Sequence, residues 1–354
     1  MHQSLCLKVS KALGEKAIII SNRLGILDRE LEIQKEDIFI CIPLTRELST
    51  REEEEMGEEL PDYTILKCDF NERKKKKSLI QLLDEKLPSH LLASLPRSMD
   101  LVGDIAVIEL SPELEAHTTI VGKAILETNK NVRTVLAKAG AISGTYRLRK
   151  LRFVAGERKT VTVHKEHGCL YQVDLAEAYF SPRLSHEHER VASLAENGET
   201  VLDLFAGVGP FAILIAKTHQ HIKVHAVDAN PRAVEFLEKN IRLNRVEDKV
   251  RPILGDARQV VTERIPAVAD RVIMNLPEKA LEFVDAACKA IRPDGGMVHF
   301  YGFITASDSL KDMKLRFTEA VKKHGRKVDA ILSSKLVRAT APYEWQAVLD
   351  VKIR

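Results

Sequence analysis

Four polar side chains follow apolar segments in the C-terminal half of the chain, and together they could bind a nucleoside. Asp203, Asp228, Asp256 and Asn275 each stand at the end of a short apolar run typical of a buried strand. Parallel strands of an α/β sheet end at one edge, and such sheets bind their ligands there. Carboxylates and an amide at this edge therefore predict a nucleoside pocket.

A glycine turn follows the first of these strands. Gly207 and Gly209 come shortly after Phe205, and a helical pattern opens at Pro210. By itself the pattern also fits a tight strand-to-helix turn without any ligand. A dinucleotide would need a third glycine and N–H groups for its pyrophosphate, whereas Pro210 has no N–H. The pattern thus favours S-adenosylmethionine (AdoMet) over NAD, with Phe205, Gly207 and Gly209 at the cofactor.

Two further carboxylates complete the predicted cofactor site. Asp228, which is followed by Ala229, ends the second strand and could accept hydrogen bonds from both hydroxyls of a ribose. Asp256 ends the third strand and is expected near the adenine. We therefore predict that Asp228, Ala229 and Asp256 contact the nucleoside part of AdoMet.

The fourth strand ends in Asn275-Leu-Pro277, which predicts contact with a planar base. The Asn275 amide offers one acceptor and two donors, which suits a base edge with both N–H and C=O groups. Pro277 disfavours helix at the preceding residue and so fixes the backbone at the mouth of the strand. Standing alone, the motif also fits an ordinary turn after a strand.

Composition and charge narrow the class of protein. The 354 residues include 54 basic and 51 acidic side chains, and a net charge of +3 does not by itself mark a nucleic-acid binder. Basic clusters at residues 73–77 and 147–152 nevertheless favour phosphate contacts. The sequence shows neither a membrane-spanning run nor a signal-peptide pattern, so a cytoplasmic protein without membrane contact is expected. The five scattered cysteines predict reduced thiols and no zinc site.

The length predicts two or three domains. We expect a small α/β domain at residues 1–70, with loop character at residues 46–59, and a basic linker at residues 71–77. A middle α/β domain is expected at residues 78–175 and a doubly wound sheet domain at residues 176–354. The predicted fold class is therefore α/β, with the doubly wound sheet preceded by two smaller α/β or α+β domains.

A connector upstream of the sheet could also reach the pocket. It runs from Tyr179 through Ser-Pro-Arg183 into a helical segment that contains Glu187. It could equally be an ordinary connector with an amphipathic helix. His186 and His188 lie two residues apart and would face different sides of that helix, so no metal site is predicted.

Taken together, these motifs resemble the archaeal and eukaryotic tRNA (guanine-37-N1)-methyltransferases. The resemblance rests on Tyr146-Arg147, Phe180-Ser-Pro-Arg183, residues 203–210, residues 228–231 and Asn275-Leu-Pro277, in that order and spacing. It implies a class I AdoMet methyltransferase with a seven-stranded Rossmann-like sheet, which methylates N1 of guanosine 37 beside the anticodon. It also implies that the N-terminal domain contacts the tRNA elbow and that the other two domains bind the anticodon stem-loop. We expect a monomer.

The resemblance further implies how the chemistry is divided. Guanine N1 carries a proton, so Glu187 would act as the general base and Arg147 would stabilise the charge that develops on O6. Asn275 would hold the Watson–Crick edge of a base that has flipped out of the loop. The remaining assignments by resemblance are Arg183 and Asn275 at the cofactor, and Tyr179 and Pro277 at the substrate.

The position of the base has an alternative within the same helix. Ser185 and His186 stand where the family commonly has two glycines before the glutamate. Glu187 is in register with the family's glutamate, but Glu189 lies close enough to take its place.

Three other functions stay open at this point. A wyosine-pathway relative transfers an aminocarboxypropyl group from the same cofactor to tRNA, although Tyr146-Arg147 and Ser-Pro-Arg183 favour methyl transfer. A methyltransferase acting on exocyclic amines of RNA or DNA more often has an aromatic residue after the proline, where this chain has Glu278. A non-enzymatic tRNA-binding protein would be expected to have lost its polar strand ends, which are present here.

Overall fold

The computed structural model describes residues 2–73, 78–96, 98–144 and 146–354, and these fall into two compact units, Met1–Lys77 and Ser78–Arg354. Four residues of the predicted basic linker, 74–77, lie outside the described residues. The second unit contains both the predicted middle region and the predicted sheet domain. Among the described residues, no helix is long and apolar enough to cross a membrane.

The first unit is a four-stranded antiparallel sheet with two α-helices. Its elements are β1 (His2–Ser10), a 3-10 helix (Lys11–Leu13), α1 (Gly14–Arg23), β2 (Gln34–Lys35), β3 (Phe39–Leu44), α2 (Thr50–Glu59) and β4 (Tyr63–Phe70), with strand order β2-β3-β1-β4. The loop expected at residues 46–59 is wrong, because α2 occupies most of it. Glu52 accepts a hydrogen bond from the Ser49 N–H at 2.8 Å, and this capping box starts the helix despite its run of acidic residues.

The second unit begins with a sheet covered by helices. Its elements are α3 (Leu79–Leu83), α4 (Ser89–Ala93), β5 (Met99–Val102), β6 (Ile105–Ile108), a 3-10 helix (Pro112–His117), α5 (Thr118–Thr128), β7 (Thr134–Ser143) and β8 (Leu148–Gly156), with strand order β5-β6-β7-β8. Most of residues 131–139 belong to β7. The turn between β7 and β8 carries Arg147.

A hairpin joins this sheet to the main one. It consists of β9 (Val161–Glu166) and β10 (Cys169–Asp174). Two buried amides, Asn240 and Asn244, bind its backbone: their Oδ1 atoms accept from the N–H groups of Gln172 and Leu170 at 2.7 and 2.9 Å. Because each amide also donates to the carbonyl of the same residue, the hairpin is held by reciprocal hydrogen bonds.

The main sheet has seven strands and helices on both faces, which confirms the predicted fold class. Its elements are α6 (Ser185–Leu194), β11 (Thr200–Asp203), α7 (Pro210–Thr218), β12 (Lys223–Asp228), α8 (Pro231–Asn244), β13 (Val250–Leu254), α9 (Ala257–Glu263), β14 (Arg271–Met274), α10 (Val284–Ala290), β15 (Gly296–Thr305), α11 (Leu310–Lys323), β16 (Val328–Ala341) and β17 (Glu344–Ile353). Short 3-10 helices lie at Pro182–Leu184 and Ala280–Phe283. The strand order is β13-β12-β11-β14-β15-β17-β16, and β17 runs antiparallel to both neighbours.

Successive side chains along the central strands point to opposite faces of the main sheet, so each face has its own buried cluster. Leu202 packs into one buried cluster with Val272, whereas its neighbour Val201 packs into a second cluster with Ile273. Because both faces are buried, the segments leading to the ends of these strands are mostly apolar, and polar residues follow where the strands leave the sheet. The core therefore places Asp203, Asp228 and the turn after β14 at one edge.

Candidate active site

Three of the four predicted polar strand ends, Asp228, Asp256 and Asn275, line one pocket in the second unit. Its empty space is about 1340 Å³ when counted to its open mouth. The predicted site residues that line it are Arg147, Tyr179, Phe205, Gly207, Asp228, Ala229, Asp256, Asn275 and Pro277. We call Phe205, Gly207, Asp228, Ala229 and Asp256 the sheet-edge wall. We call Arg147, Tyr179, Asn275, Arg338 and Gln346, which also line the pocket, the far wall.

Asp228 is fixed against the glycine turn by backbone groups. Its Oδ2 accepts from the Gly207 N–H at 2.7 Å and its Oδ1 accepts from the Asn230 N–H at 2.8 Å. Burial raises the pKa of Asp228, and these two hydrogen bonds oppose that rise. The carboxylate is thus held in one orientation at the end of β12, with lone pairs left for a ligand hydroxyl.

The two glycines of the turn have different structural roles. Gly207 has φ 55° and lines the pocket, so its lack of a side chain leaves space for a ligand. Gly209 has φ 97° and does not line the pocket. A Cβ at Gly209 would lie 2.5 Å from Leu237 Cδ1, so this glycine permits α7 to start close to α8. The structure therefore gives Gly209 a packing role where a cofactor contact had been predicted.

The rest of the sheet-edge wall suits an adenosine. The Phe205 and Phe283 rings meet edge to face with centroids 5.0 Å apart and offer apolar surface to a base. Asp256 caps α9, since its Oδ1 accepts from the Arg258 N–H at 2.9 Å. An apolar slot beside carboxylates at the strand ends fits the base and the ribose hydroxyls of AdoMet.

Behind the glycine turn lies a carboxyl group with an unusual environment. Asp203 is fully buried at the end of β11, and its Oδ1 accepts from the Phe205 N–H at 3.3 Å. Its Oδ2 has no hydrogen-bond partner among the described residues. Burial raises the pKa of Asp203 to about 7, and the negative charge of Asp228 contributes to the rise.

The far wall is organised by a chain of side-chain hydrogen bonds. Arg338 Nε donates to Gln346 Oε1 at 3.0 Å, and Gln346 Nε2 donates to Asn275 Oδ1 at 3.1 Å. Because a guanidinium can only donate, Gln346 must turn its oxygen to Arg338 and its NH₂ to Asn275. The Asn275 NH₂ group is then free to donate to another acceptor. This relay from Arg338 through Gln346 therefore fixes which end of the Asn275 amide accepts and which end donates.

Arg147, another member of the far wall, has a strained backbone conformation. It has φ 56°, which costs a residue with a side chain on the order of 1 kcal/mol. Its guanidinium lies 5.4 Å from the Tyr179 ring centroid, and its Nη1 is 3.1 Å from Glu278 Oε1 as an ion pair. Nη1 is buried and has no hydrogen-bond partner among the described residues, so an N–H remains for a ligand oxygen.

Glu187 lies outside this pocket and is bound to other groups. Its side chain is 3% exposed, and it accepts from Arg190 Nε and Tyr301 Oη, both at 2.9 Å, while Lys335 Nζ lies 2.7 Å away. Burial alone would raise the pKa of Glu187, but hydrogen bonds from Arg190, Lys335 and Tyr301 lower it overall. The carboxylate is therefore ionised at neutral pH. Glu189, the alternative base, does not line the pocket either.

Arg183 belongs to an adjoining cavity of about 1280 Å³. Its Nε donates to Asp100 on β5, and it is not among the residues lining the first pocket. The two cavities share Arg147, Tyr179 and Arg338. The structure thus brings Arg183 to the neighbourhood of the predicted site without placing it at the sheet-edge wall.

Several lining residues had no signal in the sequence. Gln346 and Arg338 are part of apolar strand patterns, and they reach the pocket because β17 inserts between β15 and β16. Phe283 comes from a 3-10 helix, and Glu278 had been considered only as the residue after a proline. The charge of Glu278 beside the Asn-Leu-Pro turn is the one feature that could have drawn attention.

Comparison with known proteins decides the family. Residues 162–329 match the TRM5/TYW2 methyltransferase domain, and residues 79–160 match the TYW2 N-terminal domain. Over 353 residues the chain is 38% identical to tRNA (guanine(37)-N(1))-methyltransferase Trm5b of Pyrococcus abyssi, and 99% of each chain is covered. The chain belongs to the TRM5/TYW2 family. The predicted family resemblance is confirmed.

Solved structures of TRM5/TYW2 proteins agree along the whole chain. The crystal structure of P. abyssi Trm5b matches with a TM-score of 0.72 and 37% identity, covering 99% of both chains. The complex of aTrm5 with tRNALeu matches with a TM-score of 0.69 and 32% identity, covering 99% of this chain and 100% of that one. Methanocaldococcus jannaschii Trm5 in complex with adenosine matches with a TM-score of 0.64 and 31% identity, covering 99% of both chains.

Proposed function

We propose that this protein is an AdoMet-dependent tRNA methyltransferase that transfers a methyl group to N1 of guanosine 37. Full-length similarity to proteins of that name supports the reaction. The pocket observation that carries the proposal is the directed relay from Arg338 through Gln346 to Asn275 beside Arg147, because it presents N–H groups on the side where a base would enter.

In this proposal the two walls bind different molecules. The sheet-edge wall holds the nucleoside part of AdoMet, with Asp228 on the ribose and Phe205 beside the adenine. Bound there, the cofactor supplies an electrophilic methyl group on a positively charged sulfur. The far wall holds a flipped-out guanine, with Arg147 directed at O6, Asn275 at the Watson–Crick edge, and Tyr179 and Pro277 against the ring.

Methyl transfer to N1 requires removal of the N1 proton. We propose Glu187 as the base, by its register in the family, and Arg147 as the cation that stabilises the charge left on O6. Glu187 must first exchange its contact with Lys335 for the guanine N1–H. The Lys335 side chain is 37% exposed, so it can turn to solvent when that contact breaks. Glu278, already at the pocket beside Arg147, is the competing candidate.

The proposal includes the contacts with tRNA and the setting of the enzyme. The anticodon stem-loop would lie along the cavities that hold Arg147 and Arg183, and the first unit would contact the elbow. The basic residues of the second cavity, which include Lys138 and Arg149, support phosphate contacts. A cytoplasmic monomer, as expected from the sequence, completes the proposal.

A labelled-methyl assay tests the reaction. The full chain is incubated with labelled AdoMet and tRNA transcripts that carry guanosine, inosine or adenosine at position 37, and the product nucleosides are separated. We expect 1-methylguanosine from the first transcript and no label in the adenosine transcript. In a parallel sample, carboxyl-labelled AdoMet is given with tRNA that carries 4-demethylwyosine at position 37, because aminocarboxypropyl transfer leaves the methyl group on methylthioadenosine. Carboxyl label recovered in the nucleoside would instead support the wyosine-pathway function. Methylation of an exocyclic amine, or no methyl transfer at all, would rule out the proposed methylation of guanine N1. An isolated anticodon stem-loop added in parallel tests the proposed elbow contact, which predicts weaker binding than full tRNA.

A further inference from the structure

Three of the five cysteines meet on one face of the sheet in the first unit. Cys6 lies on β1, Cys41 on β3 and Cys68 on β4. Their Sγ atoms all lie within 4.8 Å of one another. The spacing along the sequence gives no hint of this cluster, because it arises from the strand order β3-β1-β4. In the antiparallel registers, Cys41 pairs with Lys8 and Cys68 with Ser4, each two residues from Cys6 on the same face of β1.

The cluster lies on the side of the sheet away from the main core of the unit. The opposite face, with Leu7 and Ile42, packs against α1 and α2. On the cysteine face, a small separate cluster consists of Cys6, Cys41, Leu31 and Phe70, with Cys68 partly buried beside them. A unit of this size has little apolar surface to bury on a second face. Small domains with such limited cores often gain stability from a bound metal or a disulfide.

We propose that Cys6, Cys41 and Cys68 bind a zinc ion. Thiolates are preferred zinc ligands, and a tetrahedral site with Zn–S bonds of about 2.3 Å places its sulfur atoms about 3.8 Å apart. The observed separations, all within 4.8 Å, exceed that spacing by at most about 1 Å. The ion would cross-link β1, β3 and β4, the three longest strands of the first unit, and so stabilise its sheet.

The surroundings of the thiols fit an ion with a net negative ligand set. Glu36 Oε1 lies 3.8 Å from Cys41 Sγ and offers an oxygen as the fourth donor. Lys8 Nζ lies 2.6 Å from Glu36 Oε2, so a positive charge stands next to the site. Three thiolates and a carboxylate around Zn²⁺ leave an excess of negative charge, and Lys8 offsets part of it.

Zinc uptake by the full chain tests the proposal. The chain is stripped with a chelator under reducing conditions and then titrated with Zn²⁺ against a chromogenic chelator. Co²⁺ is added in a parallel sample, because tetrahedral thiolate-bound cobalt gives a charge-transfer band and strong visible absorption. We expect about one zinc per chain, a cobalt spectrum of the thiolate type, and a higher melting temperature with zinc.

Cys68→Ser is the informative variant, since Cys68 is only partly buried and its loss should leave the fold intact. Its zinc affinity should fall by more than the ~10–100-fold that loss of an outer-shell partner costs, and zinc should no longer raise its melting temperature. Cys288→Ser, which removes a buried cysteine of the second unit, is the matched control and should bind zinc like the original chain. Circular dichroism confirms that both variants are folded. Equal zinc affinity for Cys68→Ser and the original chain, a cobalt spectrum without thiolate bands, or a disulfide among the three cysteines in the reduced preparation would each overturn the proposal.

Discussion

The sheet-edge wall and the far wall of the pocket are held in place in different ways. Asp228 and Asp256 are oriented by backbone N–H groups that lie within three residues of them or at the neighbouring turn. Asn275 is oriented by Gln346 and Arg338, whose own positions depend on two strands from the end of the chain. The first wall is therefore a local product of strand ends, and the second is a product of the sheet topology.

This difference predicts how the two walls respond to substitution. Removing a carboxylate from the sheet-edge wall deletes its ligand contact and its own hydrogen bonds to nearby backbone N–H groups, so the loss stays local. Removing a member of the far wall changes the direction in which the next amide donates, so the loss spreads to its neighbours. We therefore expect the sheet-edge wall to control cofactor affinity and the far wall to control the rate of the chemical step.

The largest effect is expected for Arg147. Arg147→Ala removes the partly buried guanidinium proposed to stabilise charge on guanine O6, and the loss of such a donor costs roughly 10²–10³-fold in the single-turnover rate. AdoMet affinity, measured by calorimetry, should remain within a few fold. Arg147→Lys should recover little, because an ammonium lacks the planar fork of donors. A large loss of AdoMet affinity in Arg147→Ala would mean that the two walls are not separable.

Glu187 tests the assignment of the base. Glu187→Gln should lower the single-turnover rate by about 100-fold at neutral pH, and the defect should shrink at high pH as solvent takes the N1 proton. Glu189→Gln and Glu278→Gln are the matched comparisons. Should Glu278→Gln alone show the pH-dependent defect, the base is the glutamate that already lies at the pocket.

Asp203, which lies behind the glycine turn of the sheet-edge wall, is tested through the pH dependence of stability. Its pKa is raised to about 7, above that of an unfolded aspartate, so the folded state binds more protons and stability falls as pH rises through that interval. Asp203→Asn should therefore gain stability over the original chain between pH 5 and pH 8, by on the order of 2–4 kcal/mol. Urea unfolding without AdoMet measures the difference, and the exposed Glu247→Gln is the control. A constant difference across this range would show that Asp203 is ionised throughout.

A smaller effect is expected in the relay of the far wall. Gln346→Ala should slow single-turnover methylation by about tenfold, since Asn275 loses the donor that fixes its amide. Gln346→Glu keeps an acceptor for Arg338 but cannot donate to Asn275, so it should be at least as slow. If Gln346→Glu were fully active, the orientation of Asn275 would not depend on this relay.

The sheet-edge wall could be predicted from the sequence because its signals are local. Asp228 and Asp256 stand at the ends of apolar runs, and the antiparallel β17 does not disturb the edge at which they meet. The far wall could not be predicted in full, because Gln346 and Arg338 look like ordinary polar positions in strands until β17 is placed between β15 and β16. Similarly, α2 was missed because the capping box of Ser49 and Glu52 outweighs a strongly acidic composition.

The division of labour between the walls is tested most directly by measuring AdoMet affinity and single-turnover rate on the same two variants. Asp228→Ala should weaken AdoMet binding by about 1–3 kcal/mol and leave the rate at saturating AdoMet nearly unchanged. Gln346→Glu should show the reverse, with original affinity and a reduced rate. If Asp228→Ala bound AdoMet as tightly as the original chain, or if both variants lost affinity and rate together, the account of two separate walls would be contradicted.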